Sequence, residues 1–132
     1  MRTRAAILRE RNTPWSVEEI ELDPPKANEV LVKLAASGMC HSDEHLVTGD
    51  LAGGTPEPPL VGGHEGAGVV VEVGPGVQTL APGDHVVFGF VPACGRCVSC
   101  VEGHSNLCDN SASFPTGMQI GDGTVRHHTQ DG

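Results

Sequence analysis

Gly62-Gly63-His64-Glu65-Gly66-Ala67-Gly68 runs without a break into Val69-Val70-Val71-Glu72-Val73. The β-branched run predicts a strand over 68–73, closed by a turn at Gly74-Pro75-Gly76. The glycines invite a dinucleotide-binding reading, but that fingerprint is G-x-G-x-x-G between a strand and a helix. Here the order is G-x-x-G-x-G, a strand follows, and no other run supplies the fingerprint. The glycines are instead expected to turn the backbone tightly around His64.

On either side the pattern is that of short strands. Runs at 4–8, 15–22 and 29–36 precede the quoted stretch, and 84–90 follows it. The segment 23–28, with Pro24 and Pro25, is a turn. A short helix is expected over 42–47, with Asp43 and Glu44 in its first turn where the helix dipole favours them. Residues 49–63, rich in Gly and Pro, are expected to form a long loop, and 111–132 a polar, loosely ordered stretch. Small, irregular β-barrel is the architecture this implies, mainly β with short helices, in one domain over 1–132.

Composition agrees. The 132 residues include 18 Gly and 10 Pro, which favours turns over long helices, and only 3% are aromatic, so Val, Leu and Ala must build the core. The net charge of -9 argues against a nucleic acid or an anionic membrane as partner. The apolar run near the N-terminus is four residues long and interrupted by Arg9 and Arg11. It makes neither a signal peptide nor a membrane span, and a cytoplasmic location is expected.

In a reducing compartment, clustered cysteines indicate metal. Cys94, Cys97, Cys100 and Cys108 are spaced C-x2-C-x2-C-x7-C within a lobe at 92–110. Four thiolates at this spacing can surround one tetrahedral zinc and leave no position open, so the role is structural. An iron–sulfur reading fails, because that pattern needs a last gap of three followed by Pro, and Asp109 follows Cys108. The lobe is too short and polar for a core of its own, so the metal is expected to supply its folding energy.

The fifth cysteine, Cys40, lies in Cys40-His41-Ser42-Asp43-Glu44-His45. It follows a predicted strand and His64 precedes one, so both can reach one end of a barrel. These two motifs and the four-cysteine lobe, in this order, resemble the catalytic domain of zinc-dependent medium-chain alcohol dehydrogenases, over roughly residues 4–110. The run 41–50 further resembles nicotinoprotein-type members, which keep their nicotinamide bound. The resemblance implies a GroES-like fold, with Cys40 and His64 binding a catalytic zinc and Glu65 able to bind it transiently. The Cys2His ligand set is known from alcohol dehydrogenases themselves, and enters through the resemblance and not through spacing. The implied chemistry is oxidation of an alcohol to an aldehyde or ketone by hydride transfer to NAD, with zinc as Lewis acid. Ser42 would take the alcohol proton and pass it through the cofactor ribose towards His45. Asp43 would hold the free nitrogen of His64, and His41 would contact the cofactor pyrophosphate. The family associates into oligomers, usually through its nucleotide-binding domain.

Blander readings stand beside these. Ser42 equally suits a helix N-cap, His45 an exposed helix face, and Asp43 and Glu44 a helix N-terminus. His85, His104, His127 and His128 are expected to be exposed. Five cysteines less the four of the lobe leave one, so the second catalytic cysteine is absent from these residues, as is a nicotinamide site. The expectation is an N-terminal part of a dehydrogenase, truncated or a gene fragment, inactive alone. The alternative is a zinc-binding structural module without catalysis, in which a second ion would have to use Cys40, His64, Glu65 and water, or borrow His127 or His128.

Overall fold

The structure is a computed structural model and describes residues 1–50, 57–111 and 122–129. Strands β1 (Arg2–Leu8), β2 (Ser16–Leu22) and β3 (Val30–Ser37) are followed by helix α1 (His41–Thr48). Strands β4 (Leu60–Val61), β5 (Gly66–Val73) and β6 (His85–Val87) come next, then helix α2 (Val98–Val101), a 3-10 turn at Ser105–Leu107, and strand β7 (His127–His128). The strands form two antiparallel sheets, in the orders β4-β1-β2-β7 and β3-β5-β6. Together they make the mainly-β fold that the strand pattern predicts.

The core is small. Ile7 and Leu8 of β1, Ile20 of β2 and Val70 of β5 are at most 1% exposed. Each contributes about 2 kcal/mol through burial of apolar surface. Ile7 and Leu8 are buried in succession, so both faces of β1 are covered at its end, where Ile7 pairs with Ser16 and Val61, and Leu8 with Leu60.

The quoted glycines divide their work. Only Gly63 has a positive φ, +94°, and makes a turn. Gly66 and Gly68 lie inside β5, where buried positions alternate as Gly66, Gly68 and Val70. A Cβ on Gly68 would lie 2.3 Å from the Lys33 carbonyl oxygen, so β3 can approach this closely only against glycine. The tight approach of two strands, and not a tight turn alone, therefore explains the motif.

Three expectations are corrected. Within 49–63, Leu60 and Val61 form β4, because β1 leaves an edge that a short extended pair can fill; residues 51–56 lie outside the described residues. Within 111–132, residues 112–121 and 130–132 lie outside them, but 122–129 is tied down. There β7 pairs with β2, and Arg126 is 4% exposed. Its guanidinium donates to both Glu29 carboxylate oxygens, at 3.0 and 2.6 Å, and to Asp122 at 2.9 Å. His128 is not a free surface residue either, since its Nε2 lies 3.0 Å from Asp23 Oδ2.

The Arg126 guanidinium holds the Glu29 carboxyl below its ordinary value of 4.5. A carboxylate whose pKa is lowered by folding stabilises the fold above the unfolded value and stops doing so as pH falls through the folded one. Arg126→Ala is expected to cost about 2 kcal/mol at neutral pH, the scale of lost charge-assisted hydrogen bonds. It is also expected to flatten the fall in thermal stability below about pH 4.5, which melts across the acid range of both proteins would show.

Candidate metal centres

Two clusters of metal-ligating side chains stand in the structure. The first is the lobe, where the four sulfurs of Cys94, Cys97, Cys100 and Cys108 lie within 4.8 Å of one another. A tetrahedral ion with Zn–S bonds of about 2.3 Å sets sulfurs about 3.8 Å apart. Cys97 Sγ and Cys108 Sγ are 3.9 Å apart, and all five cysteines are free of disulfides. Donors surround the sulfurs. The amide of Cys94 faces Cys108 Sγ at 3.3 Å, that of Asp109 faces Cys97 Sγ at 3.4 Å, and Asn110 Nδ2 faces Cys94 Sγ at 3.1 Å. The Arg96 amide, with help from Asn110, holds the Cys94 thiol down at about 6. Burial pushes the Cys100 thiol up to about 12. The donor set, the distances and the amide cradle fit a structural zinc. Only Cys108 is buried in the lobe, while Val98, Val101 and Leu107 are exposed, so apolar burial does not hold it together.

The second cluster is Cys40, His64 and Glu65, whose ligand atoms also lie within 4.8 Å of one another. Strand pairing creates it. Ser37 at the end of β3 pairs with Gly66 at the start of β5, and the Gly38 amide donates to the Glu65 carbonyl at 2.7 Å. The short segments just beyond the two strand ends, which carry Cys40 and His64, are thereby placed side by side. Cys40 is half-buried at the N-cap of α1, and His64 is half-buried opposite. Glu65 is exposed, with its carboxylate folded over Gly38, where a Cβ would lie 2.1 Å from Oε2.

Asp43 binds the two halves. One carboxylate oxygen accepts from the Cys40 amide at 3.3 Å and the other from the Gly63 amide at 3.2 Å. His64 Nδ1 lies 3.6 Å from that second oxygen, an ion-pair distance and not the hydrogen bond expected from the sequence. The amide of Gly63 has taken the nearer place. Phe90 meets the His64 ring edge-on, with centroids 4.7 Å apart.

Ser42 is not the N-cap, because α1 begins one residue earlier and Cys40 holds that position. Its hydroxyl lies 3.0 Å from Cys40 Sγ, and no hydrogen bond joins it to His45 among the described residues. His45 stacks on His41, with ring centroids 4.6 Å apart and planes at 18°. Its Nδ1 lies 3.2 Å from Asp50 Oδ2, and that oxygen accepts a 2.6 Å hydrogen bond from Thr48. The Thr48 hydroxyl and His45 hold the Asp50 carboxyl below its usual range. His127 and His128 belong to neither cluster. Asp50, Phe90 and Gly38 were missed in the sequence. Asp50 had a signal, since it follows Gly49, a left-handed helix-ending glycine that turns the chain back on the last turn.

Residues 26–130 match the alcohol dehydrogenase GroES-like domain family. The chain is 54% identical over 128 residues to alcohol dehydrogenase B of Mycobacterium tuberculosis, covering 96% of this chain and 33% of that protein. It is 52% identical over 128 residues to an NDMA-dependent alcohol dehydrogenase of Amycolatopsis methanolica, covering 97% and 33%. A solved zinc-binding-domain alcohol dehydrogenase protein from Burkholderia ambifaria superposes with a TM-score of 0.87 at 39% identity, over 100% of this chain and 35% of that one. Benzyl alcohol dehydrogenase from Acinetobacter calcoaceticus gives 0.82 at 30% identity, over 98% and 34%. The chain therefore belongs to the GroES-like domain family of the zinc-dependent alcohol dehydrogenases and has the GroES-like fold. It spans about a third of the length of the curated relatives it matches.

If the Cys40, His64 and Glu65 cluster takes a metal ion, Asp43→Ala is expected to weaken it by about tenfold, the usual scale for removing a group that orients a ligand, while leaving metal in the lobe unaffected. Competition with a chromophoric chelator reads the two sites separately. Cys100→Ser is expected to do the reverse, releasing the lobe's zinc and opening 92–110 to protease before the sheets are cut.

Proposed function

We propose that these residues form the zinc-binding part of an alcohol dehydrogenase that oxidises alcohols to aldehydes or ketones with NAD. The observation that carries this reading is the convergence of Cys40, His64 and Glu65 in a chain that also holds a complete four-thiolate centre. In this reading Cys40 and His64 hold a catalytic zinc, with Glu65 as an exchangeable carboxylate. Bound there, zinc supplies Lewis-acid polarisation of an alcohol oxygen.

The chain's own groups then have defined tasks. Asp43 fixes the Cys40 backbone and the loop that carries His64. The Ser42 hydroxyl, 3.0 Å from Cys40 Sγ, takes the alcohol proton. His45, held by Asp50, would pass it towards solvent, with a bound cofactor's ribose hydroxyls supplying the relay between Ser42 and His45. His41 is exposed at the start of α1, where it would contact the pyrophosphate of a bound cofactor. Phe90, edge-on to His64, gives the site an apolar margin for the hydrocarbon of the substrate. Identity to an NDMA-dependent relative supports a nicotinoprotein-type member. Five unpaired cysteines support a reducing, cytoplasmic location, and among the described residues no helix is long and apolar enough to cross a membrane.

The second reading, a zinc-binding module without catalysis, is favoured by the make-up of the two clusters, with four thiolates in the lobe and one in the other. Metal analysis of the 132-residue chain is expected to give one tightly held zinc and a second, weaker one. The same chain with NAD and a panel of primary alcohols is expected to form no NADH. Zinc-dependent turnover would show that the second cluster is complete as it stands. Failure to bind any second zinc would favour the module.

A further inference from the structure

Helix α1 places His41 and His45 four residues apart, one turn above the other on the same face. Their imidazoles are stacked, with centroids 4.6 Å apart and planes at 18°, so a turn of the His41 ring about its side-chain bonds brings its nitrogen beside His45 Nε2. Two histidines at i and i+4 on a helix are a chelating arrangement for a divalent transition metal. A metal-binding imidazole normally gives its other nitrogen to a carboxylate, which sets the tautomer and ring orientation. Asp50 already provides that partner, with Oδ2 at 3.2 Å from His45 Nδ1. This leaves Nε2 of His45 as the nitrogen available for coordination. Thr48 donates to the same Asp50 oxygen at 2.6 Å, so the carboxylate is itself fixed in position. The other two clusters are both built on thiolates, with His64 and Glu65 joining Cys40 in one of them, and neither includes His41 or His45.

We propose that His41 and His45 form a separate site for a nitrogen-preferring divalent transition-metal ion, with Asp50 orienting the His45 ring. Two imidazoles without a thiolate suit Ni2+ or Cu2+ above the earlier members of the series. His127 and His128 are not an equivalent pair. They are neighbours on strand β7, so their side chains leave on opposite faces, and His128 is engaged by Asp23. Binding at the new site does not depend on the dehydrogenase reading. If that reading holds, an ion here also removes His45 from the proton path and His41 from the pyrophosphate, and so inhibits.

The test is calorimetric titration of Ni2+ into the full chain loaded with zinc, with zinc retention followed in parallel. One Ni2+ site is expected, lost in His41→Asn and in His45→Asn, weakened about tenfold in Asp50→Asn, and unchanged in His85→Asn. Proton NMR reads the same site without a variant, since bound Ni2+ broadens the imidazole signals of His41 and His45 first. Absence of Ni2+ binding overturns the proposal. So does binding that survives both histidine substitutions, or broadening confined to other histidines.

Discussion

The ladder between β3 and β5 is the constraint on which the rest depends. It runs from Val30 opposite Val73 to Ser37 opposite Gly66, with irregularities between Leu31 and Val32 and between Leu34 and Ala36. A slip by one residue would turn Gly66, Gly68 and Val70 away from the buried face and put larger side chains against the Lys33 carbonyl. The register is therefore held by steric exclusion along one face of a strand. Its ends fix the chemistry, because Cys40 and His64 each follow or precede the ladder by a few residues. Neither needs a long side chain to reach the other.

Around that ladder, charge is used to close the structure where apolar surface is scarce. Arg126 brings a strand-pairing segment back onto Glu29, 97 residues away in the chain. Asp43 performs the same service over a shorter span, joining an amide before α1 to one before β5. Among the described residues no buried side-chain nitrogen or oxygen lacks a hydrogen-bond partner. A core with four fully buried large side chains can tolerate buried charge only on that condition.

Much of this was legible in the sequence where the signal is local. The strand at 68–73, the turn after it, the helix start near Asp43 and the four-thiolate spacing each depend on residues close together in the chain. What the sequence hid depends on distance. Nothing near Arg126 announces Glu29, and nothing near Leu60 announces a free edge on β1. The glycines were visible but their cause was not. Turn glycine and close-approach glycine look alike in a sequence, and only the strand beside them separates the two. Asp43 was expected to serve His64 directly, yet a backbone amide competes for the same oxygen and wins on distance. Such competition for one acceptor cannot be read from residue types.

The two metal clusters differ in how much of the chain must be arranged before an ion can be held. All four lobe sulfurs fall within Cys94–Cys108, so closing that loop costs little conformational entropy. A newly made chain can capture zinc there as soon as this short segment has emerged, whatever the sheets are doing. The Cys40 and His64 cluster has no such independence, because its members meet only after β3 and β5 have paired. A lobe that closes within fifteen residues therefore needs none of the sheet pairing that the Cys40 and His64 cluster needs before its ligand atoms meet.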